Sequence, residues 1–193
     1  SLSCWGSDGS GRATPPSGAY RDIQVGSEHS CALQFPEDGG AIVCWGSNTS
    51  GKATPPAGAF EEMGIGHSHG CGIRSGGTLE CWGSALYGRT SPPAGAGYVQ
   101  VASGGRHSCA IDATGYAVCW GADGDGQLAV PPGERFSSIV VGDKHTCGHK
   151  VDGSISCFGA ATYQQNENPE GLFVALAAGW QTNCAFREEG TAH

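Results

Sequence analysis

The chain has 193 residues, of which 38% are hydrophobic, with 34 glycines, 10 cysteines and a single methionine. This is one domain's length of chain with too little aliphatic material for a thick core, so turns and covalent staples must do much of the work of holding a fold. Ten Lys and Arg against 18 Asp and Glu give a formal charge of −8, the wrong sign for a nucleic-acid partner, and no apolar run suggests a membrane span.

In chain order, the tripeptide CWG stands at Cys4, Cys44, Cys81 and Cys119, and its variant CFG at Cys157, with steps of 40, 37, 38 and 38 residues. A first unit between these marks runs through Pro15-Pro16, Tyr20, Ile23, Gly26, His29 and Cys31. The series recurs as Pro55-Pro56, Phe60, Met63, Gly66, His69 and Cys71, then as Pro92-Pro93, Tyr98, Val101, Gly104, His107 and Cys109. A fourth copy is Pro131-Pro132, Phe136, Ile139, Gly142, His145 and Cys147. The fifth keeps Pro169, Phe173, Leu176, Gly179 and Cys184 but has Thr182 at the histidine place. Prolines at these points favour extended connections, and nothing in the unit has a helical period. Short alternating segments bounded by Gly, Pro and Ser predict three or four short strands per repeat, at roughly forty residues per repeat. An all-β, five-bladed β-propeller fits this better than a β-helix, whose coils are shorter.

The hairpin inside each unit is legible in detail. Ser75-Gly76-Gly77, Ala113-Thr114-Gly115 and Val151-Asp152-Gly153 each put glycine third in a three-residue loop, where a left-handed residue is needed. Folding about such a loop sets the two cysteines of a unit opposite one another. The expected disulfides are Cys31–Cys44, Cys71–Cys81, Cys109–Cys119 and Cys147–Cys157. No CxxC pair is present to hold zinc, so the cysteines point to an oxidising compartment and a secreted, extracellular or cell-surface location. The chain reads as a mature or trimmed form.

Cys4 and Cys184 remain, and they read as one hairpin cut by the chain ends. Glu188-Glu189-Gly190 matches the loop position and Ser1-Leu2-Ser3-Cys4 matches Thr78-Leu79-Glu80-Cys81. A single domain over residues 1–190 with a short tail at 191–193 follows, its ring closed by a Cys4–Cys184 bridge across a blade shared by both termini. Loop-closure entropy puts that bridge at about 5 kcal/mol, against roughly 2.5–3 for each hairpin bridge.

The succession of glycine, His-Ser-Cys-Ala-Leu, a glycine turn and Cys-Trp-Gly resembles the regulator of chromosome condensation repeat. Gly26 to Gly46 and Gly104 to Gly121 carry the resemblance best. It implies a β-propeller, commonly of seven blades in this family, and the cysteine-rich form is similar to extracellular relatives in bacterial surface proteins and Crinkly-type plant receptor ectodomains. The nuclear namesake promotes nucleotide exchange on a small GTPase and docks on chromatin. An acidic, disulfide-rich chain is not expected to share that activity.

Residues that recur once per unit are read as architecture. His29, His69, His107 and His145 are expected to hydrogen-bond backbone within their own blades, since related places on several blades lie too far apart for one metal shell. Trp5, Trp45, Trp82 and Trp120 are expected to be spacers between blades with their N–H groups tied to backbone. His149, two residues after Cys147, adds no metal site if that cysteine is oxidised.

Residues that break the repeat are the candidates for function. Trp180 occupies a turn place held elsewhere by Ser27, His67, Gly105 and Asp143. The loops after each CWG vary most and should cluster on one rim, where Leu86, Tyr87, Asp123, Asp125 and Tyr163 are candidate contacts. Two carboxylates at Asp123 and Asp125 fall short of a calcium shell, and Asn48-Thr49-Ser50 is a glycosylation sequon. Catalytic constellations are asymmetric, so no enzyme, metal or cofactor is expected. The expected function is an extracellular structural or interaction module that binds protein partners or self-associates through rim loops and blade edges. Alternatives are a lectin-like glycan or ligand binder and a subunit of an extracellular filament.

Overall fold

The computed structural model describes residues 2–35 and 40–187. Each repeat forms its own antiparallel meander. The first sheet is β1 (Tyr20–Val25), β2 (His29–Gln34) and β3 (Ile42–Gly46), and the second is β4 (Glu62–Ile65), β5 (His69–Ile73) and β6 (Leu79–Gly83). The third is β7 (Tyr98–Ser103), β8 (His107–Asp112) and β9 (Ala117–Gly121), and the fourth is β10 (Phe136–Val141), β11 (His145–Lys150) and β12 (Ile155–Gly159). The fifth has two strands, β13 (Phe173–Ala178) and β14 (Asn183–Arg187).

The hairpin register follows from the loops. At Gly115 φ is 91°, and its N–H donates to the Asp112 carbonyl at 2.9 Å. Glycine enters this region without the Cβ penalty. Cys109 then pairs directly with Cys119, as Cys31 does with Cys44, Cys71 with Cys81 and Cys147 with Cys157. All four pairs are disulfides with Cα atoms 4.0 Å apart.

The core is a series of thin seams between successive sheets. Cys31, Leu33 and Ile42 of the first sheet pack against Phe60, Met63, Ile65 and Trp82 of the second. Cys109 and Ile111 meet Phe136 and Ile139 in the same way. The disulfide is therefore part of the apolar face, and the aromatic landmark of the following repeat lies on it. The indole N–H groups of Trp45, Trp82 and Trp120 donate to the carbonyls of Arg12, Lys52 and Arg89 at 3.0 Å, fixing the connection that leads into each sheet.

The repeated histidines differ from expectation in their partners. Nε2 of His69 meets Ser108 Oγ at 2.8 Å, that of His107 meets Thr146 Oγ1 at 2.7 Å and that of His145 meets Asn183 Oδ1 at 2.8 Å. Each ring thus latches its blade to the next one through a side chain rather than to its own backbone. The equivalent partner of His29 is Gly70, which has no side chain, and both ring nitrogens of His29 are buried without a hydrogen bond.

The junction expected to close a ring falls partly outside the described residues. Among those described, Cys4 and Cys184 are unbonded, residues 2–8 form no strand, and β14 pairs only with β13. Trp5 is 89% exposed, whereas Trp45, Trp82 and Trp120 are buried, so Trp5 does not act as a spacer. The physical reason is that Trp5 lies on a segment without strand structure, whereas Trp45, Trp82 and Trp120 are held on β3, β6 and β9. The loop at 188–190, residue 1 and the tail at 191–193 lie outside the described residues.

Candidate functional site on the axial face

The turn between the first two strands of each sheet points to a common axis. Its glycine is required by crowding. A Cβ on Gly66 would overlap the Gly104 carbonyl, and one on Gly104 would overlap the Gly142 carbonyl. A hydrogen-bonded staircase accompanies this contact: the N–H groups of His67, Gly105 and Asp143 donate to the carbonyls of Gly104, Gly142 and Trp180 at 3.0, 3.1 and 3.1 Å. The backbone is thereby locked at the glycine, while the position one residue later is left to vary. That next position holds Ser27, His67, Gly105, Asp143 and Trp180, a different residue in every unit.

These five residues line one funnel of about 320 Å³. Trp180 is 54% exposed, and its ring meets the His67 imidazole at 5.3 Å and an angle of 70°. Ser27 Oγ donates to the His67 carbonyl at 3.2 Å. Asp143, by contrast, is only 8% exposed. Trp180 and Asp143 also border a groove of about 190 Å³, where Tyr163, Lys144 and Gln165 join them. Asn183 Nδ2 donates to the Gln165 carbonyl at 2.8 Å and ties the Tyr163 loop to the fifth sheet.

The candidates drawn from the sequence separate in space. Tyr163 and Trp180 come together in the groove, and both are exposed. Leu86 and Tyr87 are exposed on the loop after β6 and line neither cavity. Asp123 Oδ1 accepts from the Leu128 N–H at 3.0 Å, and Asp125 lies 3.5 Å from Lys144 Nζ, so both carboxylates serve their own neighbourhood. Asn48 holds its loop too, accepting from the Ala53 N–H and donating to Thr54 Oγ1, both at 2.9 Å. Among the described residues no three His, Cys, Asp or Glu gather as a metal site, and His149 Nε2 donates to the Phe173 carbonyl at 2.7 Å. His67 and Asp143 are site residues that sequence reasoning used only as the background to Trp180. The signal was the unrepeated residue directly after each repeated glycine.

Two electrostatic features are tied to the blade junctions. Burial holds His69 and His107 down to about 3 and His29 to about 4, so all three are neutral imidazoles. Burial pushes the Glu62 carboxyl up to about 7, where its Oε1 accepts from the Val101 N–H at 3.3 Å.

Residues 98–127 match the family model described as regulator of chromosome condensation (RCC1) repeat. The third unit is similar to an RCC1 repeat. No curated protein matches the chain. Among solved structures, the entire ectodomain of the receptor kinase CR4 from Physcomitrella patens aligns with TM-score 0.79 and 26% identity, over 94% of this chain and 53% of that one. The CRINKLY WD40 ectodomain of the Arabidopsis thaliana receptor kinase ACR4 aligns with TM-score 0.72 and 26% identity, over 92% and 63%. Prp20p from Saccharomyces cerevisiae, whose structure was described with its binding to Gsp1p and histones, has TM-score 0.73 at 12% identity over 91% and 58%, a likeness of fold. The chain therefore spans between about half and under two thirds of the length of these structures. Its sheets are arranged as in RCC1-type propellers, in a disulfide-stapled form.

Proposed function

We propose that this chain is an extracellular protein-interaction module whose contact surface is the axial face, from the funnel to the Tyr163 groove. The observation that carries the reading is the set of turn residues Ser27, His67, Gly105, Asp143 and Trp180, an unrepeated set on a repeated frame. Rigid scaffolds present recognition residues in this way, and an exposed indole beside an exposed tyrosine is the kind of anchor on which binding energy concentrates. The stapled hairpins suit an oxidising environment, and the CR4 and ACR4 similarities are to receptor ectodomains.

The test is selection of displayed peptides on the folded protein, followed by measurement of the winners against Trp180→Ala and Tyr163→Ala. Loss of binding in both variants is the expected result. Peptides that bind both variants as tightly as the parent protein would remove the axial face from the proposal.

A second reading, head-to-tail assembly, is favoured by the two unbonded cysteines and by the faces left bare at the ends of the array. Ile23 and Val25 are exposed on β1, where the corresponding Met63 and Ile65 are buried, and Phe186 is 74% exposed on β14. Each bare face is of the kind that the other face packs against inside the array. Oxidation of purified protein would then give a ladder of Cys184–Cys4 oligomers by non-reducing mass analysis. A monomer with an internal Cys4–Cys184 bond would instead make the ring close on itself.

A further inference from the structure

The axial residues are chemically unequal, and Asp143 is the odd member. The residue is 8% exposed and its Oδ1 leans over Gly105, where any Cβ would overlap it. Its carboxylate makes no hydrogen bond or ion pair to the described residues. The adjacent cation, Lys144, turns its Nζ to Asp125 at 3.5 Å instead. The Asp143 main-chain N–H donates to the Trp180 carbonyl at 3.1 Å, so carboxylate and indole start from two ends of one hydrogen-bonded step. The residue borders both the funnel and the groove, so its unpaired carboxylate is within reach of a ligand there, and the other prominent wall is an aromatic ring.

We propose that this corner receives a cationic side chain, the guanidinium or ammonium of an Arg or Lys from a protein partner, seated between Asp143 and Trp180. The proposal rests on the axial-face reading and adds the chemistry of its ligand. A cation satisfies the carboxylate and is attracted to the indole face at the same time, which no neutral group does. The net charge of −8 favours its approach. A hard metal ion is the poorer occupant, because one carboxylate and a wall of paired backbone carbonyls leave most of its oxygen shell empty. Gly105 has a role in this: it is the one turn residue without a side chain, and it leaves open the space that the Asp143 carboxylate occupies.

The experiment titrates acetyl-Gly-Arg-Gly-amide, its lysine counterpart and its citrulline counterpart into the folded, isotope-labelled protein. Both cationic peptides are expected to shift the Trp180 indole N–H and the Gly105 and Asp143 amide signals saturably, more weakly at high salt, while citrulline leaves them in place. Asp143→Asn, whose unchanged remaining spectrum reports its fold, should weaken binding by about tenfold or more. Trp180→Leu provides a second variant with the carboxylate intact and should weaken it as well. Equal shifts from the citrulline peptide, undiminished binding by Asp143→Asn, or no shift from either cation would overturn the proposal. If display-selected peptides lose affinity in Trp180→Ala yet carry no cationic residue and tolerate Asp143→Asn, the axial face stands and the cation site falls.

Discussion

Replacing Glu62 by Gln should stabilise the protein above pH 7 and leave it nearly unchanged at pH 5. At the next junction Gln100 clamps Ile139 twice, with Oε1 accepting from its N–H at 2.9 Å and Nε2 donating to its carbonyl at 3.4 Å. Glu62, in the same register one blade earlier, accepts from the Val101 N–H at 3.3 Å. Only its protonated form has a hydrogen to give, as the amide does. Burial raises this carboxyl from its ordinary 4.5 to about 7, nearby Asp22 adds to the rise, and the Val101 N–H and Arg21 oppose it. Arg21 itself is spent on the Phe60 and Glu61 carbonyls at 3.2 and 2.8 Å.

The folded state thus holds a proton that the unfolded chain releases, and stability falls as pH rises from about 4.5 to about 7. At about 1.4 kcal/mol per pH unit the cost is bounded near 3 kcal/mol, and partial solvent exposure of Glu62 reduces it to about 1–2 kcal/mol. For a chain of this length that is a rise of roughly 2–8 °C in Tm for Glu62→Gln at pH 8. Differential scanning calorimetry at pH 5 and pH 8 measures it. An equal shift at both pH values, or a lower Tm at pH 8, would refute the clamp.

Thr146→Val removes the acceptor facing His107 without changing shape, and should cost about 1–3 kcal/mol in urea unfolding through the unpaired buried ring. The histidines give the opposite pH slope to Glu62. Unfolded imidazoles take up protons below about 6.5, while burial keeps those of His29, His69 and His107 neutral down to about 3–4, so their contribution is lost as pH falls through that window. Three histidines outweigh one carboxyl, and Tm should drop on acidification from pH 6.5 to 4; a flat profile would contradict the latches. Changing Cys147 and Cys157 together to Ser should cost roughly 2.5–3 kcal/mol in the unfolding free energy, as a short closed loop predicts, provided the variant is compared under non-reducing conditions.

Features that depend on a few consecutive residues were legible in the sequence. The third-place glycine of each hairpin fixes the register, and the register sets Cys109 opposite Cys119. Features that depend on stacking were not. The ring of His107 finds Thr146, 39 residues further on, and no local pattern distinguishes that partner from backbone in its own blade. The junction at Cys4 and Cys184 reads as one hairpin because its residues match the repeat, yet matching residues do not by themselves bring two chain ends together. Trp180 stood out because four equivalent positions hold smaller or more polar residues. Its companions Tyr163 and Asp143 become neighbours only when the loop after β12 folds over the turn of the fourth sheet.

On the proposed reading, repeated residues build this molecule and unrepeated axial residues bind. Amide shift mapping of the folded protein with its tightest display-selected peptide tests this most directly. The largest changes are expected to cluster at positions 27, 67, 105, 143 and 180 and in the loop at 160–165. Changes confined to the outer strands β3, β6, β9 and β12, with the axial signals unmoved, would contradict it.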